Sequence, residues 1–140
     1  MYQMHEGTLA LPVEWQDKTM NVFVSAATGT EGVSLVITRE RLPWGMKFDE
    51  YVASEIRKIA KKVPEYAEVS SAKATVSGRD AHVHEFTWTN NHASIHQQLT
   101  MVEYGQVAMM LTFTAPGALS DTQREQVSAV IQSLQLRDPN

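Results

Sequence analysis

From residue 66 to residue 115 the chain alternates apolar and polar residues, interrupted by turn chemistry at Ser77-Gly78, Asn90-Asn91 and Gly105-Gln106. A period of two is the signature of strands with two distinct faces. Glycine or asparagine at a two-residue break supplies the positive φ that a tight hairpin needs. Segments 66–77, 79–89, 93–104 and 106–115 therefore predict four consecutive antiparallel strands. Any apolar face of such a sheet must be covered, and that requirement governs how the rest of the chain can be arranged.

The turns also predict the faces. A two-residue turn at Asn90-Asn91 sets Thr89 opposite His92 and Trp88 opposite Ala93, and opposed residues share a face. His82, His84, Phe86, Trp88, Ala93, Ile95, Gln97, Leu99 and Met101 then lie together. Glu85, Thr87, Thr89, His92, Ser94, His96, Gln98 and Thr100 lie on the other side, with Val83 as the apolar exception. A three-residue turn would flip one strand and mix the two sets. Carried through Gly105-Gln106, the register sets Tyr104 opposite Val107 and Met101 opposite Met110. Ala108, Met110, Thr112 and Thr114 join the Trp88 face, and Val102, Tyr104, Val107, Met109, Leu111 and Phe113 join the opposite one. Both faces are substantially apolar.

Around this meander the periodicity changes twice. Residues 1–11 predict a short strand ended by Pro12, Met20–Ser25 an alternating strand, and Val33–Arg39 another, with a loop at Thr28–Gly32. After a turn at Leu42-Pro-Trp-Gly45, Phe48, Val52, Ile56, Ile59 and Val63 recur at helical spacing. Asp49 and Glu50 suit the start of that helix, Lys58, Lys61 and Lys62 suit its end, and Pro64 stops it. Ser120 and Gln123 form a capping box for a second helix with Val127, Val130, Ile131 and Leu134 as its stripe. Strands, helix, strands, helix over 140 residues predict a single α+β domain spanning 1–140: an antiparallel sheet with two main helices.

A helix is about 10 Å wide and strands sit about 4.8 Å apart, so two helices side by side cover about four strands of one face. One apolar face then falls short of cover, which would make it a binding groove or a dimer interface; the alternative is that the helices take opposite faces, or that loops and the N-terminal strand fill in. The expected lining is Trp88, Ile95, Leu99, Met101 and Met110, with Val22 and Val24 added from the early strands, a place in the core being the alternative for each. Gln97 and Gln98 point to opposite faces, so one of them faces the groove; on the Trp88 side it is Gln97.

Composition narrows the chemistry. A net charge of −4 disfavours sequence-blind binding to nucleic acid or anionic lipid. With no cysteine there is no disulfide, thiolate metal site or cysteine nucleophile. The start, Met-Tyr-Gln-Met-His-Glu-Gly, has neither the basic nor the apolar region of a secretory signal, and no apolar run approaches the ~20 residues of a membrane span, so a cytoplasmic address without membrane insertion is expected. His82 and His84 share one face while His92 and His96 share the other, so the pairs cannot meet at one ion, and polar histidines on exposed or edge strands are the expectation. There is no phosphate loop, nucleophile elbow or triad spacing. The residues predict no enzyme, no cofactor and no metal. Seven methionines fit either core gap-filling or an adaptable apolar surface.

Thr38-Arg-Glu-Arg-Leu-Pro-Trp-Gly45 followed by Phe48-Asp-Glu-Tyr-Val52, together with the meander ending Leu111-Thr-Phe-Thr-Ala-Pro and the closing helix, resembles the DcrB-related family, whose members share the Mog/PsbP-like fold. Short members without a signal resemble Eag-type chaperones of type VI secretion effectors. The resemblance implies a homodimer that holds the hydrophobic N-terminal transmembrane segments of a toxin in the cytoplasm and aids its loading on the secretion spike. Trp44 and the histidine-rich hairpin have no role in that resemblance. The alternative is a binding protein for a small apolar ligand or a folded partner.

Overall fold

The computed structural model describes residues 1–25 and 32–138. The N-terminal segment is a hairpin of two short strands, β1 (Tyr2–Met4) and β2 (Gly7–Leu9), where one strand was expected. His5-Glu6-Gly7 separates the apolar pair Tyr2 and Met4 from Leu9, and the chain reverses there. β3 (Asn21–Val24) and β4 (Ser34–Arg41) follow, then α1 (Phe48–Lys62). The loop expected at Thr28–Gly32 lies, apart from Gly32, outside the described residues. The meander is β5 (Ala67–Val76), β6 (Arg79–Asn90), β7 (Ala93–Tyr104) and β8 (Val107–Pro116), and α2 (Asp121–Ser133) closes the fold.

Six strands form one antiparallel sheet in the order β3-β4-β8-β7-β6-β5. Tyr104 opposes Val107 and Met101 opposes Met110, as the turn at Gly105-Gln106 predicts. The β6–β7 turn is displaced by one residue from the expected place. Asn91 and His92 carry the positive φ values, Asn90 opposes Ala93 and Trp88 opposes Ile95. The displacement slides the pairing by two residues, an even number, so every side chain keeps its predicted face.

The helices lie on opposite faces rather than side by side. Phe48, Tyr51 and Val52 of α1 pack with Phe86, Leu99, Met101 and Ala108 on the Trp88 face. Val127 of α2 packs with Val102, Leu111 and Phe113 on the other. Because both faces are apolar, splitting the helices covers the centre of each, whereas pairing them would leave one face bare. In α2 the box is closed: Ser120 Oγ accepts from the Gln123 backbone N–H at 3.1 Å, and Gln123 Oε1 accepts from the Ser120 N–H at 3.0 Å. Of its stripe, Val127 is buried, Ile131 and Leu134 are partly buried, and Val130 is exposed.

Candidate functional site

One helix cannot roof a six-stranded sheet. Its ~10 Å width spans about two strand spacings. On the Trp88 face α1 sits over β6, β7 and the far end of β8, leaving the β3–β4 side open. The register shows what lies there. One row runs Val24, Ser34, Thr114, Gln97 and Phe86 across five strands, and the next runs Val22, Val36, Thr112, Leu99 and His84. Phe86 and Leu99 are under the helix; Val36, Ser34, Thr112, Thr114 and Gln97 are half-buried; Val22 and Val24 are 61% and 71% exposed.

The result is a ledge floored by small and β-branched side chains, with α1 standing beside it as a wall. Three strands give it a width of about 10 Å, one helix diameter. That width holds along the four residues of β3, about 13 Å; beyond them β4 is the edge, with Thr38 opposite Met110 of the cluster under α1. Short floor side chains keep it shallow enough for a helix axis to approach closely.

All eight residues predicted to line a groove share this face, but they divide by depth. Leu99 at 4% and Met101 at 0% exposure are core, a correction to their expected place in an open groove: α1 lies directly on them. Trp88 and Met110 are partly buried against the same cluster. Ile95 is half-buried beside Trp88. Gln97 bridges strands, accepting from Trp88 Nε1 at 2.7 Å and donating to Thr114 Oγ1 at 2.9 Å, so its amide is fixed at the inner edge of the ledge. Val36, Ser34 and Thr38 belong to the ledge and were not predicted, because the loop between β3 and β4 left the register of these strands open to sequence reasoning.

The opposite face holds a second apolar feature. A groove of about 690 Å³ runs between α2 and the strand edge, lined by Phe23, Leu35, Phe113, Val127, Val130 and Leu134 among others. The α2 side of it spans about 12 Å, from Gln126 to Leu134.

Three of the histidines are tied into the sheet, and two of them, His84 and His96, are buried rather than on exposed positions. His84 Nε2 meets the Tyr66 hydroxyl at 2.6 Å and its Nδ1 meets Ser71 Oγ at 3.0 Å, with the ring stacked on Phe86. Burial holds the His84 and His82 imidazoles below their ordinary range. On the other face His96 Nδ1 accepts from the Leu119 N–H at 3.2 Å, which leaves Nε2 to donate to Glu85 at 2.6 Å. Arg124, and then His96, holds the Glu85 carboxyl below the usual carboxylate range against the opposing effect of burial. No group of three metal-ligating side chains occurs among the described residues.

The family model for DcrB matches residues 6–133. The chain belongs to the DcrB family. A Pseudomonas aeruginosa protein described as "Effector EagT6" is 24% identical over 119 residues, covering 84% of this chain and 83% of that protein. A crystal structure of PA94, a P. aeruginosa protein of unknown function, matches with a TM-score of 0.85 at 23% identity, over 99% of this chain and 96% of that one. The solution structure of CyanoP from Synechocystis covers 89% of this chain and 94% of its own, at 6% identity and a TM-score of 0.48. This DcrB-family chain shares the fold of PA94 over nearly its whole length. Among the described residues no helix of this DcrB-family chain is long and apolar enough to cross a membrane.

Proposed function

We propose that this DcrB-family chain is a non-enzymatic, cytoplasmic binding protein that holds a hydrophobic N-terminal helix of a secreted effector on the ledge beside α1, works as a homodimer, and aids loading of that effector on a type VI secretion spike. The observation that carries the reading is the open apolar strip that α1 leaves uncovered on the β3–β4 side. The ledge is one helix wide for about 13 Å, room for two to three turns of a helix, and its outer rim is the exposed pair Val22 and Val24. The resemblance to Eag-type chaperones and the likeness to Effector EagT6 support an effector as the client.

The mechanism is physical. Covering ~300 Å² of apolar helix on the ledge releases roughly 8 kcal/mol gross, much of which is offset by association and ordering. The remainder keeps an apolar segment out of aggregates. Gln97 offers a fixed polar group at the inner edge, and small floor residues admit close backbone approach.

Co-expression with the apolar N-terminal segment of a candidate effector tests this. The reading predicts a soluble complex that is lost when Val22 and Val24 are changed to Asp. A segment that aggregates equally with and without the chain contradicts it.

The groove beside α2 supports the second reading, a small apolar ligand, since about 690 Å³ falls within the range of small-molecule pockets. A ligand that co-purifies and is displaced by Val130→Asp would favour that reading.

A further inference from the structure

On the α2 face the pairing sets Arg39 beside Met109 and Tyr104 beside Val107, toward the Arg41 end of β4. Val127 of α2 belongs with Leu111 and Phe113, farther along the strands. Two other chain segments reach this end of the sheet, and each is pinned. From the N-terminal side comes Thr19. Its hydroxyl meets the Tyr2 hydroxyl at 2.7 Å, and Asp17 accepts from both its N–H, at 2.9 Å, and its hydroxyl. From the C-terminal side come the residues after α2. Ser77 Oγ accepts from the Leu136 N–H at 2.9 Å, and Arg79 donates to the Arg137 carbonyl at 3.2 Å while pairing with Asp138 at 3.7 Å. The Arg79 guanidinium also lies 4.8 Å from the Tyr104 ring centroid. Between the two segments is a cleft of about 750 Å³.

The cleft combines two chemistries. Val107, Met109 and Leu136 give it apolar walls, with the rings of Tyr2 and Tyr104, and Arg39 and Arg137 give it cations. Among the described residues neither of these guanidinium groups has an ion pair. Arg39 makes two hydrogen bonds, both from Nη1, both 3.4 Å long and both to backbone carbonyls, those of Thr19 and Ile37. Its other N–H groups are left to a ligand or to water. Asp17 is the carboxylate in the lining, and it is already engaged by Thr19 while its charge faces Arg39. Two cations against one occupied carboxylate make the cleft positive, in a chain whose net charge is −4.

We propose that this cleft binds a small amphipathic carboxylate, its acid group held by Arg39 and Arg137 and its apolar body laid against Met109, Val107 and Leu136. A guanidinium matches a carboxylate because its N–H groups reach both oxygens. The volume falls within the range of small-molecule sites. A monoanion fits better than a dianion such as a phosphate ester, since Asp17 repels a second charge and the apolar walls need something to cover them. The ligand would touch the N-terminal segment, the sheet and the C-terminal tail at once. This site is on the face away from the ledge, and it is separate from the groove beside α2, with which it shares Gln135 in its lining. The inference therefore rests on neither of those readings.

Calorimetric titration of the intact chain with octanoate, phenylbutyrate and naphthaleneacetate, each beside its neutral amide, tests it. At least one acid should saturate a single site, bind roughly tenfold or more tightly than its amide, and weaken as salt is raised. Arg39→Gln should weaken that acid about tenfold and leave the amide unchanged. The variant should melt near the parent temperature, because Arg39 is exposed and gives up only two long hydrogen bonds. Arg137→Gln, in the exposed tail, is the second variant and should act in the same direction. No saturation by any of the acids, equal binding of acid and amide, or full binding by both arginine variants would each overturn the proposal. So would loss of binding in Val130→Asp with none in Arg39→Gln, which would put the ligand in the groove beside α2.

Discussion

Arg124 grips Glu85 through both terminal nitrogens, at 2.6 and 2.9 Å, and so fastens the first turns of α2 to the middle of the sheet. The Glu85 side chain is only 2% exposed, while Arg124 reaches it from a partly open surface. His96 adds a third contact to the same carboxylate and is itself held by the Leu119 backbone at the entry to α2. Helix packing, loop position and strand face thus meet at one buried charge.

Removing Arg124 should be costly. Arg124→Ala leaves a buried carboxylate without its main partner, a loss of about 3 kcal/mol. Arg124→Ala combined with Glu85→Leu should lose less than the sum of the two single changes, because the stranded charge is gone. Urea denaturation of the four proteins measures both quantities.

The same pair sets an acid response. The folded-state value of Glu85 is depressed, so its contribution to stability is full above the unfolded value near 4.5 and disappears as pH falls through the lower folded value. Unfolding free energy measured from pH 6 to pH 3 should fall, and Arg124→Ala should shrink that fall. An unchanged acid profile in the variant would separate Glu85 from the response.

His84 acts at a higher pH. Its folded value is lowered by burial, so the folded protein takes up its proton less readily than the unfolded chain does. Stability should be full above about 6.5, the ordinary value, and decline as pH drops below it. Melting curves from pH 7.5 to 5 should show the decline, flattened in His84→Gln. His82 shifts in the same direction and should leave a residual slope in that variant.

Depth separates two groups of residues on the Trp88 face. Leu99→Ala and Met101→Ala should each destabilise by about 2–5 kcal/mol, as cavities beneath α1. Val22→Ser and Val24→Ser should stay within about 0.5 kcal/mol of the parent, because both side chains are largely in water. Chemical denaturation ranks them.

Much of this architecture was legible in the chain. Alternation, turn glycines and the capping box at Ser120 predict the meander, its faces and α2, because each depends on local chemistry or on parity, which survives a turn misplaced by one residue. Two things were not legible. The helices' choice of face depends on long-range packing, so Leu99 and Met101 looked the same in sequence whether roofed or open. The join between β3 and β4 carries no tight-turn signal, so Val36 could not be placed beside Val22 although both lie on the ledge. Glu85, His96 and Arg124 are spread over 39 residues, and no short spacing announces them.

The most direct test of the ledge is titration of the intact chain with a soluble-tagged, fluorescein-labelled Leu/Ala helix of 20 residues, followed by anisotropy, for the parent and for Val22→Asp/Val24→Asp. The account predicts saturable binding by the parent and loss of at least about tenfold in affinity for the variant, with its melting temperature retained. Equal binding by the two proteins, or none by the parent, would contradict it.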